Sequence, residues 1–283
     1  MSSLLSVFNA DGFQVSTVPR PPWQRTVSSH CCVHETARSS ALIALRHHIT
    51  AAELHGMDVL VRVGQNEQAL IQRVLDHGAT GIVVPHVDSA EQAHAVVQQG
   101  RYAPAVDRGF ATYGRAGRFG QVPAREHLQA DTDRTVVIVM IESHTGCANT
   151  EEILAVPVID GVMGGPADLS LSFGVDGPSD IRVSQALSSL HNQAAAADRK
   201  RMEIVSSAEQ ARHSFAAGAH LVVVNVTHVL MEILDQLVKI GTGQRRNASY
   251  TTPRRSEIKL QPLTSPASTV NQENEVAPGC RES

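Results

Sequence analysis

A chain of 283 residues, 42% hydrophobic and 18% charged, can bury a full core and fits one domain of the size of an α/β barrel, about 250 residues. Its formal charge of −4, with Lys and Arg scattered, leaves no basic stripe that could follow a phosphate backbone, which argues against nucleic acid as a partner. The longest apolar run, AHLVVVNV, is far below the roughly 20 residues of a membrane span, so no membrane association is expected.

At the N-terminus, MSSLLSVFNADGFQVS is broken by Asn9, Asp11 and Gly12 and lacks the basic-then-apolar pattern of a secretion signal, so a cytoplasmic location is expected. Cys31 and Cys32 are adjacent, Cys147 and Cys280 stand apart, and no CxxC pair suggests zinc; free thiols are the expectation. FQVSTV and RTVSSHCCV are the only strand candidates in this part. Both are weak, and Pro19, Pro21 and Pro22 lie between them, so residues 1–35 read as an irregular N-terminal segment.

From about residue 39 the patterns alternate. SSALIALRHHITAAELHG reads as a helix closed by Gly56, and DVLVRV as a strand; EQALIQRVLDHG is a helix closed by Gly78, and TGIVVP the next strand. Ser89 caps SAEQAHAVVQQG, which stops at Gly100. The Gly- and Arg-rich stretch 101–121 is too long for an ordinary connection and reads as a lid or binding loop. TVVIVMIES, NTEEILAV and VIDGVMGG resume the alternation. They are followed by the helix SDIRVSQALSSLHNQAAAAD, a strand at MEIVS, the helix SAEQARHSFAAG, the strand HLVVVNV and the helix THVLMEILDQLVKI. Sustained βα alternation predicts an all-parallel sheet covered by helices. The fold class is therefore α/β, with residues 36–241 as the main domain. Six strands are found from Asp58 onward, so an eight-stranded barrel needs two more from the first 35 residues, where the pattern is incomplete or irregular. Residues 242–283, poor in apolar side chains, read as a disordered tail.

Two acids end neighbouring apolar runs: Glu142 after VVIVMI and Asp168 after VIDGVMGGPA. Active sites of α/β barrels lie at the C-terminal ends of the strands, where two carboxylates could share one divalent cation. Plain capping of strand-end helices is the structural alternative. Glycine at 165 removes a Cβ that would block a ligand, so the backbone of Gly165, Pro166 and Ala167 is a candidate substrate contact; an ordinary tight turn is the alternative.

VRVGQNEQALIQRVLDHGATGIVVPHVDSAEQA, RGFATYGRAGRFG, IES and GGPADLSLSFG, in that order, resemble the HpcH/HpaI aldolase family of class II pyruvate aldolases, related to citrate lyase β subunits. The resemblance spans roughly residues 35–235. It implies a (β/α)8 TIM barrel and reversible cleavage of a 4-hydroxy-2-oxo acid to pyruvate, or a related 2-oxo acid, and an aldehyde. The divalent metal would be held by Glu142 and Asp168, with hard oxygen ligands favouring magnesium or manganese. It also implies that Arg62 steadies the enolate, that Asp76 orients a catalytic His, and that the chain forms a homo-oligomer, a hexamer in the family, through its C-terminal helix. His34 in CCVHET is the candidate His, although the family's acids are replaced by Cys31 and Val33 and Glu35 could take that register position. The family's Gln two residues before the metal-binding Glu is Met140 here. His47, His48 and His86 are expected on helix surfaces or strand ends. Two rival readings are a CoA-ester lyase of the citrate lyase β type, for which a long basic CoA-binding segment is missing, and a non-catalytic barrel homologue.

Overall fold

The computed structural model describes residues 3–7, 30–34, 39–55, 57–64, 66–102, 110 and 112–241, with side chains from residue 44 onward except those of 227, 240 and 241. Met1–Val238 form one compact unit; of the second, Lys239–Ser283, the described residues are the end of the last helix.

Eight strands form one parallel sheet: β1 (Ser3–Val7), β2 (His30–His34), β3 (Asp58–Arg62), β4 (Gly81–Val84), β5 (Val136–Ile141), β6 (Gly161–Gly164), β7 (Lys200–Val205) and β8 (Leu221–Asn225). Their order is β1-β8-β7-β6-β5-β4-β3-β2, so each strand from β2 to β8 lies beside its successor in sequence, β1 lies beside β8, and β1 and β2 occupy the edges. The helices are α1 (Ser39–Leu54), α2 (Gln68–Asp76), α3 (Ala90–Gly100), α4 (Ala124–Arg134), α5 (His144–Ala148), α6 (Thr150–Ala155), α7 (Pro166–Ser172), α8 (Ile181–Ala196), α9 (Ala208–Ala216) and α10 (Val226–Gly241).

Period-two alternation divides the core. Val59, Val61, Ile82, Val84, Val137, Val139, Ile141 and Val162 face the helices, packing with Leu45, Ile49, Ile71, Val74, Val96, Ile153 and Leu190. The other face gathers Leu60, Val83, Ile138, Met140, Met163, Met202, Leu221 and Val223 into a single cluster. A flat six-strand span could not bring β3 and β8 side chains into one cluster, so the sheet is curled. Within that face the register sets Met140 beside Met163 and Met163 beside Met202, a row of three buried thioethers across β5, β6 and β7. Helix starts follow the caps: the Ser89 and Ser207 hydroxyls accept the Gln92 and Gln210 amides at 3.3 and 3.1 Å, and Asp180 accepts Arg182 N–H at 2.8 Å. Gly78, at φ 100°, closes the turn after α2 as expected.

The N-terminal strands differ from expectation. The first is Ser3–Val7, which pairs with β8 from Ser3↔Leu221 to Val7↔Asn225; FQVSTV lies outside the described residues. The second takes only the end of RTVSSHCCV and runs to His34, in register with Arg62. A five-residue strand whose partner is over 200 positions away leaves little local signal. The domain limits 36–241 cut across this sheet. Segment 242–283 lies outside the described residues.

At the N-terminal pole of the sheet, Asp160 accepts the Val137 amide at 2.7 Å and Arg101 Nη2 at 3.3 Å, while buried Arg101 also donates to the Asp131 carbonyl at 3.0 Å. Asp160→Ala leaves a buried guanidinium and an amide short of a partner. It should cost about 2 kcal/mol and lower Tm by about 4–8 °C in a thermal melt followed by circular dichroism.

Candidate active site

Alternation decides which side chains enter the curl. Arg62 shares the inner face with Leu60, and Glu142, the residue after β5, shares it with Ile138 and Met140. Register places Ile141 beside Gly164, so Glu142 meets Gly165, the N-cap of α7. Pro166 fills the first turn, where its missing N–H costs nothing, and Asp168 follows in that turn. Arg62, Glu142, Gly165, Pro166, Ala167 and Asp168 thus border one cavity of about 240 Å3, floored by the methionine row with Ile204 and Val223.

The Glu142 side chain is 1% exposed. One oxygen, Oε2, accepts the His86 backbone N–H at 3.0 Å and lies 3.4 Å from His86 Nδ1. The other, Oε1, rests against Gly165: a Cβ there would stand 2.8 Å from Oε1 and 2.7 Å from Cγ. Gly165, which borders the cavity, also makes room for the Glu142 carboxyl. Burial pushes the Glu142 pKa up and the Asp168 charge pushes the same way, while the His86 amide and Arg62 pull against them.

The loop that supplies the amide is tied down. Val87 N–H donates to the Met140 carbonyl at 3.2 Å, the Ser143 hydroxyl donates to Asp88, and Asn149 donates to the Asp88 carbonyl at 2.8 Å. His86 sits at φ 53°, in the left-handed region, a conformation costing about 1 kcal/mol or more that these contacts enforce. Sequence reading placed His86 at a strand end, where it is, but missed its contact with Glu142. A main-chain donor leaves no trace in residue type; Pro85 after a strand was the only hint of a tight turn there.

The remaining expected residues divide. His34 ends β2 beside the end of β3, in register with Arg62; Glu35 lies outside the described residues. His47 is exposed and His48 half-buried on α1. Asp76 is not at this site within its own chain. It ends α2, ahead of β4, so it belongs to the opposite pole of the sheet, a strand length or roughly 16 Å away.

There the described part of the presumed lid covers it: Ala116 N–H donates to the Asp76 carbonyl at 3.2 Å, Gly114 packs on it, and Arg115 pairs with Glu53. A larger cavity of about 670 Å3, bordered by Asp58, Thr80, Thr135 and Arg115, marks the same pole. Segment 112–121 is therefore no lid over this chain's own carboxylates. It follows a helix, and connections after helices emerge at the N-terminal ends of the strands.

Among the described residues no three His, Cys, Asp or Glu side chains form a ready metal cluster; the candidate donors at this cavity are the Glu142 and Asp168 carboxylates. That pair fits a hard divalent cation, which takes few protein ligands and completes its shell from water and substrate. Two acids at one cavity, one of them desolvated and cradled against Gly165, suit a cation.

A curled parallel α/β sheet thus carries two acids and an arginine around a cavity at its C-terminal strand ends. The chain belongs to the HpcH/HpaI aldolase/citrate lyase family, whose sequence profile matches residues 30–230, and that family is one of carbon–carbon lyases. A 2-keto-3-deoxy-L-rhamnonate aldolase of Escherichia coli K12 is 34% identical over 213 residues, 73% of this chain and 79% of that protein. An HpcH/HpaI aldolase/citrate lyase family protein from Burkholderia cenocepacia J2315 matches at TM-score 0.68 and 27% identity, over 75% of this chain and 85% of the other. The HpcH/HpaI aldolase from Desulfitobacterium hafniense DCB-2 matches at 0.67 and 25%, over 76% and 83%. No described helix is long and apolar enough to cross a membrane.

Proposed function

We propose that this chain is a metal-dependent aldolase that reversibly cleaves a 4-hydroxy-2-oxo acid to pyruvate, or a related 2-oxo acid, and an aldehyde. The observation that carries this reading is the buried Glu142 carboxyl, shaped around Gly165 and facing Asp168 and Arg62 across one cavity. Glu142 and Asp168 would hold the cation, magnesium or manganese by the hardness of their oxygens. When bound, it supplies Lewis acidity toward the ketone and carboxylate oxygens of a 2-oxo acid.

Arg62 offers a permanent positive charge to the ketone oxygen, where negative charge develops as the C3–C4 bond breaks. The backbone of Gly165, Pro166 and Ala167 borders the place for the substrate carboxylate. Below, the apolar row of Met140, Met163 and Met202 keeps water out, which strengthens every charge contact above it. His34, at the end of β2 beside Arg62, is the candidate to take the proton from the C4 hydroxyl through a water. In deuterium oxide with Mn2+, the protein should exchange the C3 protons of pyruvate, EDTA should stop the exchange, and an added aldehyde should give an aldol adduct by NMR. Absence of exchange across both metals would refute the assignment.

The cyclic strand order supports closure of the sheet into a (β/α)8 barrel, since only a β1–β2 ladder is needed to complete it. Homo-oligomer formation is supported by α10, where Met231, Leu237 and Val238 are each about 60% exposed and Leu230, Ile233 and Leu234 nearly half exposed. Asp76, stranded at the other pole, then serves the His34 of a neighbouring subunit. Asp76→Asn should lower kcat about a hundredfold or more. Mixing subunits carrying Asp76→Asn with subunits carrying Glu142→Gln, each strongly impaired alone, should raise activity above that of either, because some interfaces then pair an intact Asp76 with an intact Glu142. If Asp76 worked within its own chain, the mixture would show no such gain.

A further inference from the structure

The ends of β4 and β5 leave the sheet side by side, since Val84 lies in register with Val139, and the loops that follow are bonded to each other. The His86 amide donates to Glu142 Oε2 at 3.0 Å, the Val87 amide to the Met140 carbonyl at 3.2 Å, and the Ser143 hydroxyl to Asp88 Oδ1. Only the last of these joins two side chains. It is therefore the one that substitution can open without touching Glu142.

Asp88 is held on every side. Its carbonyl accepts the Asn149 side-chain amide at 2.8 Å, its own N–H donates to Gln92 Oε1 at 2.7 Å, and its carboxylate takes the hydroxyl of Ser143, the residue next to Glu142 in the chain. Ser143 in turn accepts the Gly146 amide at 2.9 Å as the N-cap of α5. Neither Asp88 nor Ser143 borders the cavity. Gly146 clears the space for their contact: a Cβ there would stand 2.8 Å from Asp88 Oδ1 and 3.2 Å from the Val87 carbonyl oxygen. Glycine is a poor helix former, so α5 gives up helix propensity at the position where Asp88 comes in.

We propose that Asp88 is a positioning residue: by holding Ser143 it fixes the backbone on which Glu142 stands and keeps the loop 85–88, with its His86 amide, against the carboxyl, so that Glu142 is set for a cation before one arrives. The Glu142 side chain is 1% exposed and shares its cavity with a second acid, Asp168, so in the metal-free protein burial and like charge both favour its turning away. The inference rests on the reading of Glu142 as a metal ligand in an aldolase. It adds a residue that contacts neither cation nor substrate. Loss of Asp88 should thus weaken capture of the cation and leave the reaction of the loaded site nearly unchanged.

The test uses full-length wild-type protein, Asp88→Ala, Asp88→Asn and Gly146→Ala. Mn2+ affinity is read by isothermal titration calorimetry without substrate, and exchange of pyruvate C3 protons in deuterium oxide is followed over a range of Mn2+. Asp88→Ala should raise Kd for Mn2+ about tenfold, while exchange at saturating Mn2+ stays close to that of the wild type. Asp88→Asn, whose amide oxygen still accepts the Ser143 hydroxyl, should bind Mn2+ nearly as the wild type does. Gly146→Ala keeps every charge and favours the helix, yet should reproduce the loss of affinity by displacing Asp88, with no fall in Tm of the metal-free protein. It carries the test if Asp88→Ala does not fold. Wild-type affinity in the alanine variants, a loss that Asp88→Asn shares in full, or a loss of exchange that saturating Mn2+ leaves in place would overturn the inference. Wild-type protein that binds Mn2+ without exchange would sink the aldolase reading alone; wild-type protein that binds no Mn2+ would sink both.

Discussion

Gly165→Ala should leave the fold intact and destroy the site. At φ −101° and ψ 91° the backbone suits alanine as well as glycine, so the variant carries no conformational penalty, and its N–H bond to the Ile141 carbonyl at 3.1 Å remains. The new Cβ, however, would stand 2.7 Å from Glu142 Cγ and 2.8 Å from Oε1, closer than carbon and oxygen tolerate. Glu142, fully buried between the His86 amide and α7, can yield only by turning its carboxyl away from Asp168. Mn2+ affinity by isothermal titration calorimetry should drop about tenfold to a hundredfold, as for a ligand whose support is lost. Turnover should fall at least as far, while Tm of the metal-free protein shifts by only a few degrees. Unchanged Mn2+ affinity would mean that Glu142 is not a metal ligand.

Glu142→Gln separates charge from shape. The amide can still accept the His86 N–H through its oxygen, but the negative charge is gone, and with it Mn2+ binding and about a thousandfold or more of activity. The metal-free variant should nevertheless be more stable than the wild type at neutral pH. Burial, reinforced by Asp168, raises the Glu142 pKa in the folded state above its unfolded value. The folded wild type therefore binds that proton more tightly than the unfolded chain. It loses stability as pH climbs from the ordinary carboxyl range through the raised pKa, and carries the whole penalty above it. Melting curves of the chelated proteins should coincide in acid and diverge toward neutrality, with the variant melting higher. Saturating Mn2+ should reverse the order by stabilising only the wild type.

How much could be read from residues alone follows from how local each signal is. Glu142 and Asp168 stood out because β5 and β6 are uninterrupted apolar runs with an acid just beyond each, and Pro166 marks a helix start wherever it falls. Ser89 and Gly78 announced the ends of α3 and α2 by side-chain and backbone chemistry contained within a few positions. β1 had no such advantage: Ser3–Val7 is held by Leu221–Asn225, and a Ser-flanked pair of leucines says nothing about so distant a partner. His86 escaped because its bond to Glu142 begins at a main-chain nitrogen. Segment 112–121 lies at the other pole because a connection between a helix and the next strand in a parallel sheet returns to the pole away from the C-terminal strand ends. The same rule places Asp76, the last residue of a helix, far from Glu142.

The row of methionines across β5, β6 and β7 also decides traffic. Among the described residues that end is closed, so both reactants share the rim at the strand ends. The partner gripped deepest, by the two acids and the arginine, must enter before the other and depart after it. Steady-state kinetics in the synthetic direction should thus be ordered, the keto acid first in, and in cleavage the aldehyde should be the first product out.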